Sequence, residues 1–455
     1  MLDMKWIRTH QEQVEAAARH KGMLDFNVAE LLETEEQRRE LGQRVDVRRA
    51  ERNRASAEIA RLMRQKQSEG AGGREELAEA DLREGQVEAE RGEWQAEVEK
   101  RKEQVRVCNT ALVALEAELA KVDARFQALQ LLVPNIASPD TPIGASDADN
   151  VQIKVVGEPT AFVFEPRDHV QLGEALDIID IPRGVKVAGT RNYYLKGMGL
   201  YLHRAVQQLA IDVLADRGFT VMDVPLMVRE EALVNAAFFP GGKDQTYELD
   251  GENKWLVGTS EGPLVSYFAN EIVDLSQGPI RLAGVSNCFR KEAGSAGRDV
   301  RGLYRVHQFA KVEQVVICLN DPQVAEQMLD EITRNAEHIL QLLELPYRIV
   351  AVCTGDMGSK NYKQYDIETW MPSRGNYGET HSSSSLLDYQ ARRCGIRYSH
   401  PDGGLQYGYT LNNTAVATPR ILIPLLENHQ QEDGSIYIPP ALRPYMRGMA
   451  SIPAR

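Results

Sequence analysis

The clearest pattern along the chain is a series of mostly apolar residues that are spaced alternately four and three positions apart. It begins at Val87 and ends at Val133. Such spacing is typical of a coiled-coil seam. A weaker copy runs from Leu41 to Leu62 and admits arginine, and the glycine-rich segment SEGAGG, residues 68–73, separates the two. The pattern predicts two long antiparallel helices that form a projecting arm over residues 27–133. Helices of roughly forty and roughly sixty residues would result, so the second helix either continues into the base of the arm or is broken.

Prolines end the helical pattern after residue 133. The segment LLVPNIASPDTPIG, residues 131–144, contains three prolines, and proline cannot continue a helix. We therefore interpret residues 1–133 as an N-terminal helical domain, residues 134–148 as a linker and residues 149–455 as a second domain.

The second domain contains many short β-rich segments, such as IRLAGVSNCFR, VEQVVICL and YDIETW. A further segment, FTVMDVPLMV, is predicted to be a strand that carries Pro225. Helical patterns are found at Leu200–Arg217, Val324–Leu343 and Ala417–His429. Because several strands follow one another without a helix between them, an antiparallel sheet is favoured over a Rossmann fold. The predicted fold class is α+β, with a two-helix coiled-coil arm followed by a mainly antiparallel sheet flanked by helices.

Composition narrows the classes of protein that remain. The 455 residues are 43% hydrophobic and 26% charged, as expected for a globular chain of two or more domains. No run approaches the roughly eighteen apolar residues that suggest a membrane span. The N-terminal segment lacks the features of a secretory or transit signal, and the five cysteines are too scattered for a disulfide framework or a zinc knot. We expect a cytoplasmic protein with no membrane segment and no structural zinc.

The charge of the arm differs from that of the chain as a whole. The net charge of −13 argues against indiscriminate binding to nucleic acid. Between residues 48 and 66, however, seven basic residues stand against two acidic ones, a local charge of +5. Two interpretations remain open: a solvated coiled coil with interhelical ion pairs, or a surface that contacts phosphates. A basic cluster on an acidic chain favours nucleic acid. The seven residues are Arg48, Arg49, Arg52, Arg54, Arg61, Arg64 and Lys66.

The segment FRKEAGSAGRDVRGLYRVHQFAKVE, residues 289–313, carries the main candidate chemistry. The chain has neither a Walker A loop nor a GxGxxG fingerprint after a strand. Instead, Arg290 and Glu292 are predicted on one face of a strand, with Arg305 and Phe309 on the next strand beyond a glycine-rich loop. This hairpin offers a cation for a phosphate, a carboxylate for an exocyclic amine and an aromatic ring for a base. An RxE pair alone is far more often part of a surface hairpin with salt bridges.

The full 25-residue string resembles motif 2 of the class II aminoacyl-tRNA synthetases, in the form found in the seryl-tRNA synthetase family. The predicted helix that ends near Arg217, with the strand that carries Pro225, is similar to the family's motif 1, which builds its dimer interface. The segment Thr410–Gln430, in which Arg420 begins a predicted helix, is similar to motif 3. GTSE at residues 258–261 and GETHSSSSLLDYQARR at residues 378–393 also match family elements, and the arm resembles the family's tRNA-binding coiled coil.

The resemblance implies a role for each matching nucleotide-binding residue. Arg290 would hold the α-phosphate of ATP and the carboxylate of serine. Glu292 and the Val306 backbone would read adenine, and Phe309 would stack on it. Arg305 and Arg420 would grip the γ-phosphate. The implied ATP set is Arg290, Lys291, Glu292, Arg305, Val306, Phe309, Glu379, Thr380, His381, Ser382 and Arg420.

For the amino acid, Thr259 and Glu261 would anchor the amine, while Glu313 and Thr414 would bind the serine hydroxyl. Some relatives have asparagine where Ser385 stands and serine where Thr414 stands. The implied serine set is Thr259, Ser260, Glu261, Arg290, Glu313, Asn412 and Thr414. The implied magnesium ligands are Glu379 and Ser382, and the implied catalytic residues are Arg290 and Arg420.

Three features receive a lower weight from the sequence, although His381 and Ser382 belong to the implied ATP set. His381 precedes four serines, but the implied reaction needs no general base, so a packed or backbone-positioning histidine is expected. The run Ser382–Ser385 is similar to a low-complexity loop. MGSK, residues 357–360, is faintly similar to the lysine loop of class I synthetases, yet the chain has no HIGH partner motif. We interpret it as a loop.

The resemblance implies a homodimeric, magnesium-dependent enzyme that activates L-serine with ATP and transfers the seryl group to tRNA(Ser), and to tRNA(Sec) where one exists. A paralogue that delivers serine to a carrier protein or small molecule is a second hypothesis, which the basic arm end disfavours. A non-catalytic RNA-binding relative is a third, which the presence of Arg290, Glu379 and Arg420 disfavours. No contact with DNA or membrane is expected.

Overall fold

The computed structural model describes residues 1–72, 84–293 and 301–455, with the backbone alone for residues 69–72 and 84–87. Gly73 of the predicted glycine-rich turn and residues 294–299 of the predicted glycine loop lie outside the described residues, as does the side chain of Val87. By contacts the chain divides into two compact units. One comprises Asn27–Gln130, and the other comprises Met1–Phe26 together with Leu131–Arg455. The domain boundaries that the sequence suggests at residues 133 and 149 stay a prediction.

The unit of residues 27–130 is built from two long helices. Helices α1 and α2 precede it, at Met4–Thr9 and Gln11–His20, and its own helices are α3, Val28–Gly72, and α4, Glu84–Leu132. Helix α4, the second helix of the arm, is therefore continuous and is not broken between residues 84 and 132. Ion pairs join Arg49 to Glu116 at 2.7 Å and Arg101 to Glu58 at 2.8 Å. The residue numbers rise along α3 as those of their partners fall along α4, so the two helices are antiparallel.

The predicted seam is the buried face of this helix pair. Its described apolar members are buried or half-buried, whereas adjacent positions face solvent: Leu112 is 3% exposed and Val113 is 69% exposed. Nearer the end of the arm, the indole of Trp94 donates to the Leu62 carbonyl at 3.2 Å, and the Lys66 ammonium lies 3.6 Å from its ring centroid. The coiled-coil prediction is confirmed. The buried seam residues are Leu41, Val45, Ala55, Val98, Cys108, Leu112, Phe126, Leu129 and Val133.

An eight-stranded sheet forms the centre of the larger unit, in the order β1-β11-β12-β13-β16-β10-β9-β4. Seven of these strands pair antiparallel, and β4 alone pairs parallel, with β9. The mainly antiparallel sheet that the sequence predicts is confirmed. Its strands are β1 Val151–Val156, β4 Thr220–Asp223, β9 Ile280–Phe289, β10 Gln308–Cys318, β11 Tyr347–Ala351, β12 Lys363–Met371, β13 Asn376–Leu387 and β16 Tyr409–Thr418.

Smaller elements surround this sheet. The remaining strands are β2 Ile179–Asp180, β3 Tyr194–Leu195, β5 Met227–Arg229, β6 Glu248–Leu249, β7 Lys254–Leu256, β8 Ile272–Val273, β14 Arg397–Ser399, β15 Leu405–Tyr407, β17 Ile436–Tyr437 and β18 Ser451–Ile452. The remaining helices are α5 His169–Ala175, α6 Ile181–Ala188, α7 Met198–Asp216, α8 Glu230–Asn235, α9 Glu261–Ser266, α10 Pro322–Leu342, α11 Tyr389–Cys394 and α12 Leu422–Asn428.

The two faces of the sheet are covered by different helices. Helices α7 and α10 bury apolar residues such as Leu209 and Leu329 against one face, where Val312 and Val316 of β10 point. Helices α9 and α11 lie against the other face, where Val315 and Ile317 point. Successive side chains of a strand alternate between faces, so Glu313 belongs to the α9 side.

A buried amide network joins α10 to the three central strands. Gln314 of β10 donates to Asn413 of β16 at 2.5 Å and accepts from Asn335 of α10 at 2.6 Å. Asn413 in turn donates to the Ser383 hydroxyl of β13 at 2.7 Å. Each of these residues is almost completely buried. Because an unpaired buried amide is costly, this network penalises any other register of the central strands.

Three local predictions were wrong. Pro225 does not lie within a strand but separates β4 from β5, because proline cannot donate to a sheet ladder. Residues 417 and 418 end strand β16, and helix α12 begins at Leu422, after Arg420. The serine run Ser382–Ser385 is not a loop but part of β13. Its polar side chains obscured the strand pattern. Ser382 and Ser383 bond to side chains on neighbouring elements, whereas Ser385 Oγ is buried and has no hydrogen-bond partner among the described residues. Among the described residues, no helix has the length and apolar content needed to cross a bilayer.

We expect Leu112→Ala to weaken the arm, because it removes buried methyl groups from the seam; the cost should be about 2–5 kcal/mol. Val113→Ala, at the exposed neighbouring position, is the matched control and should change stability by less than about 0.5 kcal/mol. Amide hydrogen exchange within residues 27–130 measures both. Equal effects of the two variants would contradict the assigned seam.

Candidate active site

Three polar residues meet where β10 faces β16. Glu313 lies opposite Thr414 in the strand register, and the Thr414 hydroxyl donates to Glu313 Oε2 at 3.3 Å. The Lys311 ammonium lies 2.5 Å from the same oxygen and 3.4 Å from the threonine hydroxyl. Glu313 is only 2% exposed. The sheet thus holds a carboxylate and a hydroxyl side by side in a nearly dry environment.

A second buried carboxylate, Glu261, begins helix α9. Its Oε1 atom accepts hydrogen bonds from Lys360 at 2.5 Å, Gln390 at 2.6 Å and Asn412 at 2.9 Å. Asn412 lies two residues before Thr414 on β16, so one strand supplies groups to both carboxylates. The preceding Ser260 is fully buried, and its hydroxyl donates to the Gly284 carbonyl at 3.1 Å within the fold. Thr259 is also buried.

The charges of this region are balanced. Burial raises the pKa of Glu313, and the ammonium of Lys311 opposes that shift. Burial likewise lowers the pKa of Lys360, which the carboxylate of Glu261 opposes. Each buried acid therefore has its own lysine, an arrangement that offsets part of the desolvation penalty of the four groups.

A pocket of about 510 Å³ gathers residues from distant segments. Arg290, Val306 and Phe309 line it from the motif 2 segment, Glu379 from β13, and Arg420 from the turn after β16. Glu292, Lys311, Thr380 and Thr414 also line it. A second pocket of about 1460 Å³ is lined by Thr259, Arg305 and, again, Arg290 and Glu292. Arg290 and Glu292 therefore border both spaces.

The path of the motif 2 segment differs from the predicted hairpin. Strand β9 ends at Phe289 and β10 begins at Gln308, so Arg290, Glu292 and Arg305 lie beyond the strands. Glu292 has φ of 51°, a left-handed conformation that interrupts the alternation of a strand. Glu292 Oε2 nevertheless lies 3.6 Å from Arg305 Nη1, so the two side chains form an ion pair.

Arg290 is held in place by the strand pair and by a neighbouring turn. Its guanidinium donates to the Gly258 carbonyl, with Nε at 3.3 Å and Nη2 at 3.2 Å. The guanidinium carbon lies 5.1 Å from the centroid of the Phe309 ring. The structure thus brings an arginine and an aromatic ring to one wall of the pocket, as the sequence predicts. Lys291 lies next to Arg290, with its ammonium 5.7 Å from the Tyr247 ring centroid.

Arg420 is placed by contacts that the sequence did not suggest. It donates to the Tyr304 carbonyl at 3.1 Å and to the Glu379 carbonyl and carboxylate at 3.2 and 3.3 Å. The guanidinium carbon of Arg420 also lies 4.3 Å from the centroid of the Tyr304 ring, and the guanidinium carbon of Arg374 lies 4.0 Å from that centroid. No local sequence pattern distinguishes Tyr304 or Arg374 from other tyrosines and arginines of the chain.

A buried histidine and glutamate support the backbone beside Tyr304. His169 Nδ1 lies 2.8 Å from Glu427 Oε1, and the Leu303 amide donates to His169 Nε2 at 3.2 Å. Because Nε2 accepts in the second contact, Nδ1 is the nitrogen that donates to Glu427. Gly302 permits this approach, since a Cβ there would lie 2.3 Å from His169 Nε2. Sequence reasoning missed both residues because 258 positions separate them.

Oxygen ligands cluster at the edge of the pocket. Glu379 and Ser382 lie on β13, and Asp366 is opposite Ser382 on β12. Gln364 donates to both Asp366 at 3.0 Å and Ser382 at 3.2 Å. Burial, with the neighbouring charge of Glu379, raises the pKa of Asp366 to about 8. These are hard oxygen donors of the kind that magnesium prefers, and Arg420 places one positive charge beside Glu379.

His381 is packed into the sheet. It is 1% exposed, and its Nδ1 lies 2.8 Å from the Thr380 hydroxyl. Thr380 is itself buried and contacts the Thr369 hydroxyl at 2.6 Å. Burial lowers the pKa of His381 to about 3, so the ring is neutral near pH 7. The expectation of a packed histidine agrees with this position.

The seven basic residues predicted for RNA contact lie on α3. Arg48 pairs with Glu51 and Arg49 with Glu116, at 2.7 Å each, and Arg52 donates to Asn53. Arg54, Arg61 and Arg64 are exposed, and none of these three forms a hydrogen bond or ion pair with another residue that the structure describes. Part of the basic cluster is therefore engaged within the arm and part is available.

Two known families match separate segments of the chain. Residues 246–429 match the family described as tRNA synthetase class II core domain (G, H, P, S and T). Residues 1–137 match the family described as seryl-tRNA synthetase N-terminal domain.

Individual relatives agree over the full length. A curated serine--tRNA ligase of Deinococcus radiodurans is 42% identical over 448 residues, 98% of each chain. One from Rubrobacter xylanophilus is 39% identical over 456 residues, 100% of each. The crystal structure of seryl-tRNA synthetase from Pyrococcus horikoshii complexed with ATP is similar with a TM-score of 0.84 and 34% identity, over 100% of both chains.

We expect the His381 ring to stay neutral from pH 8 to pH 5 in the folded protein. Its pKa is lowered relative to the unfolded value near about 6.5, so the unfolded chain binds the additional proton first. His381 therefore makes folding less favourable as pH falls from about 6.5 towards 3. Ring chemical shifts followed by NMR should not move in this range, and the urea-unfolded chain is the control. A midpoint near 6.5 in the folded protein would contradict the assigned burial.

Proposed function

The chain belongs to the seryl-tRNA synthetase family, and from this membership and the site geometry we propose that it activates L-serine with ATP and transfers the seryl group to tRNA(Ser). In the first step a serine carboxylate oxygen attacks the α-phosphorus, which forms seryl-adenylate and releases pyrophosphate. In the second step a terminal adenosine hydroxyl of the tRNA attacks the seryl carbonyl, and AMP leaves.

One observation carries the proposal: Arg290 and Arg420 line the same pocket as Thr414, whose hydroxyl donates to Glu313. The pocket thus joins cations for a triphosphate to a buried pair that can recognise a hydroxyl. No general base is needed when a carboxylate attacks a phosphorus atom. Charge neutralisation and in-line alignment therefore provide most of the catalysis.

The nucleotide would bind along the motif 2 wall. Arg290 neutralises the α-phosphate and orients the serine carboxylate, which makes it a catalytic residue. Phe309 stacks on adenine, while Glu292 and the Val306 backbone read its edge. Arg305 and Arg420 bind the terminal phosphate. Lys291 and the backbone of residues 379–382 complete the ATP set, and this role for residues 380 and 381 is consistent with their buried side chains.

The amino acid would bind between the two buried carboxylates. Its ammonium is received at Thr259 and Glu261, with Asn412 orienting the latter. Its hydroxyl is received by Glu313 and Thr414. An alanine or glycine substrate would leave these buried polar groups unpaired, and such a loss is costly enough to give strong discrimination.

Magnesium would be held by Glu379 and Ser382, whose oxygen atoms are hard donors of the kind that a divalent cation prefers. When bound, the ion would neutralise phosphate charge. The protein's own residues orient the oxygen atoms that face it: Gln364 fixes Ser382, and Arg420 holds Glu379.

The arm would bind tRNA through phosphate contacts and shape rather than by reading bases. Its basic cluster on α3 supports this role, because Arg54, Arg61 and Arg64 are exposed. We further propose a homodimer in the cytoplasm, as the resemblance implies. Charging of tRNA(Sec), where one exists, belongs to the same proposal.

The direct test is serine-dependent exchange between ATP and pyrophosphate without tRNA, followed by charging of tRNA(Ser). We expect exchange with serine and at least about 10²-fold weaker kcat/KM with alanine. Arg420→Met should abolish most exchange, whereas Arg334→Met, at an exposed position on α10, is the matched control. Absence of exchange with serine in the unaltered protein would refute the proposal. Exchange without charging would favour a paralogue with another acceptor.

The arm can be tested separately. We expect the triple variant R54Q/R61Q/R64Q to raise KM for tRNA(Ser) about 10-fold or more, because each lost phosphate contact weakens the electrostatic attraction. Exchange in the absence of tRNA should be unchanged. Aminoacylation at several salt concentrations should show a smaller salt dependence in the variant. An unaltered KM for tRNA would exclude these three residues from the interface.

A further inference from the structure

Lys360 closes the MGSK segment, to which neither the sequence nor the proposed reaction gives a role. Its ammonium lies 2.5 Å from Glu261 Oε1, 3.4 Å from the Ala236 carbonyl and 4.0 Å from the centroid of the Phe238 ring. Its side chain is 14% exposed. Phe238 lines the larger pocket together with Thr259. Lys360 therefore lies directly behind the carboxylate assigned to the substrate amine.

The loop that carries Lys360 is fixed by an unusual density of hydrogen bonds. Every backbone carbonyl of residues 358–361 accepts at least one. The Lys21 ammonium donates to three of them, at 3.5, 3.2 and 2.6 Å. Asn135 donates to the Lys360 carbonyl at 3.0 Å. Because four successive carbonyls are held, the side chain of Lys360 leaves the loop in a defined direction.

The contacts of Glu261 are unequal between its two oxygens. Oε1 accepts from Lys360, Gln390 and Asn412. Oε2 accepts no hydrogen bond from any residue in the described ranges. The three donors therefore fix the rotation of the carboxylate and leave one oxygen for a further donor.

We propose that Lys360 is a positioning residue of the amino-acid site, which holds Glu261 by Oε1 so that Oε2 receives the ammonium group of the substrate. The proposal rests on the proposed function, since it concerns the same serine site. Lys360 also offsets the negative charge that Glu261 adds beside Glu313. Without this cation, two buried carboxylates would oppose each other's ionisation, and the amine site would lose its anion.

The test compares full-length variants by serine-dependent pyrophosphate exchange. We expect Lys360→Met to raise KM for serine about 10-fold or more, with kcat and KM for ATP within about twofold, because ground-state binding of the amine is lost. Lys360→Arg, which keeps the cation, should recover most of the affinity. Lys363→Met is the matched control: Lys363 lies three residues on and pairs with Asp140 and Glu326 instead.

A ligand without an amine separates positioning from general damage. 3-Hydroxypropanoate carries the carboxylate and hydroxyl of serine but no ammonium, so its inhibition constant should be equal in the unaltered protein and in Lys360→Met. If the Met variant does not fold, Lys360→Gln, which keeps a donor but no charge, takes its place and should show the same rise in KM.

Each outcome decides one question. An unchanged or lower KM for serine in the Met or Gln variant would overturn the proposal, as would equal losses for serine and 3-hydroxypropanoate. Absence of exchange with serine in the unaltered protein would instead refute the proposed function and, with it, the role of Lys360 in a serine site, so the two failures are distinct.

Discussion

The register of the central strands is the constraint on which the site depends. Gln314 and Asn413 are paired in a buried network that includes α10 and β13, on the face of the sheet opposite the pocket. This network favours the alignment in which Glu313 faces Thr414. A slip of one residue would exchange the two faces. The carboxylate would then point into the apolar layer formed with α7 and α10, and the hydroxyl site would not exist.

Charge balance is the second organising feature. Glu313 and Glu261 are both buried, and each is paired with a lysine. The arginines also bond to the backbone: Arg290 and Arg420 donate to backbone carbonyls and line the pocket, and Arg420 also donates to the Glu379 carboxylate. Burying paired charges gains little stability in itself. The pairing instead orients the polar groups before a substrate arrives. Less reorganisation of these groups is then required during the reaction.

Much of the fold followed from local patterns, because the seam of the arm and the β-rich segments obey simple periodicities. The candidate residues of motif 2 could also be named from the sequence, since the string is long and specific. The features that could not be predicted from the sequence depend on contacts between residues that are far apart in the chain. The polar run Ser382–Ser385 forms part of a central strand, where the hydroxyls of Ser382 and Ser383 bond to side chains on other elements. No local pattern indicates contacts between residues that are far apart in the chain. Such contacts place Lys360 beside Glu261, Tyr304 beside Arg420, and His169 beside Glu427.

The central claim is that strand register and paired lysines together form a site for serine. It is tested most directly by a crystal structure with L-serine and a non-hydrolysable ATP analogue. The account predicts the serine hydroxyl within hydrogen-bonding distance of Glu313 and Thr414, and the ammonium beside Glu261 Oε2, with Lys360 still on Oε1. Serine bound with its hydroxyl away from Glu313 and Thr414, or with Lys360 displaced from Glu261, would contradict it.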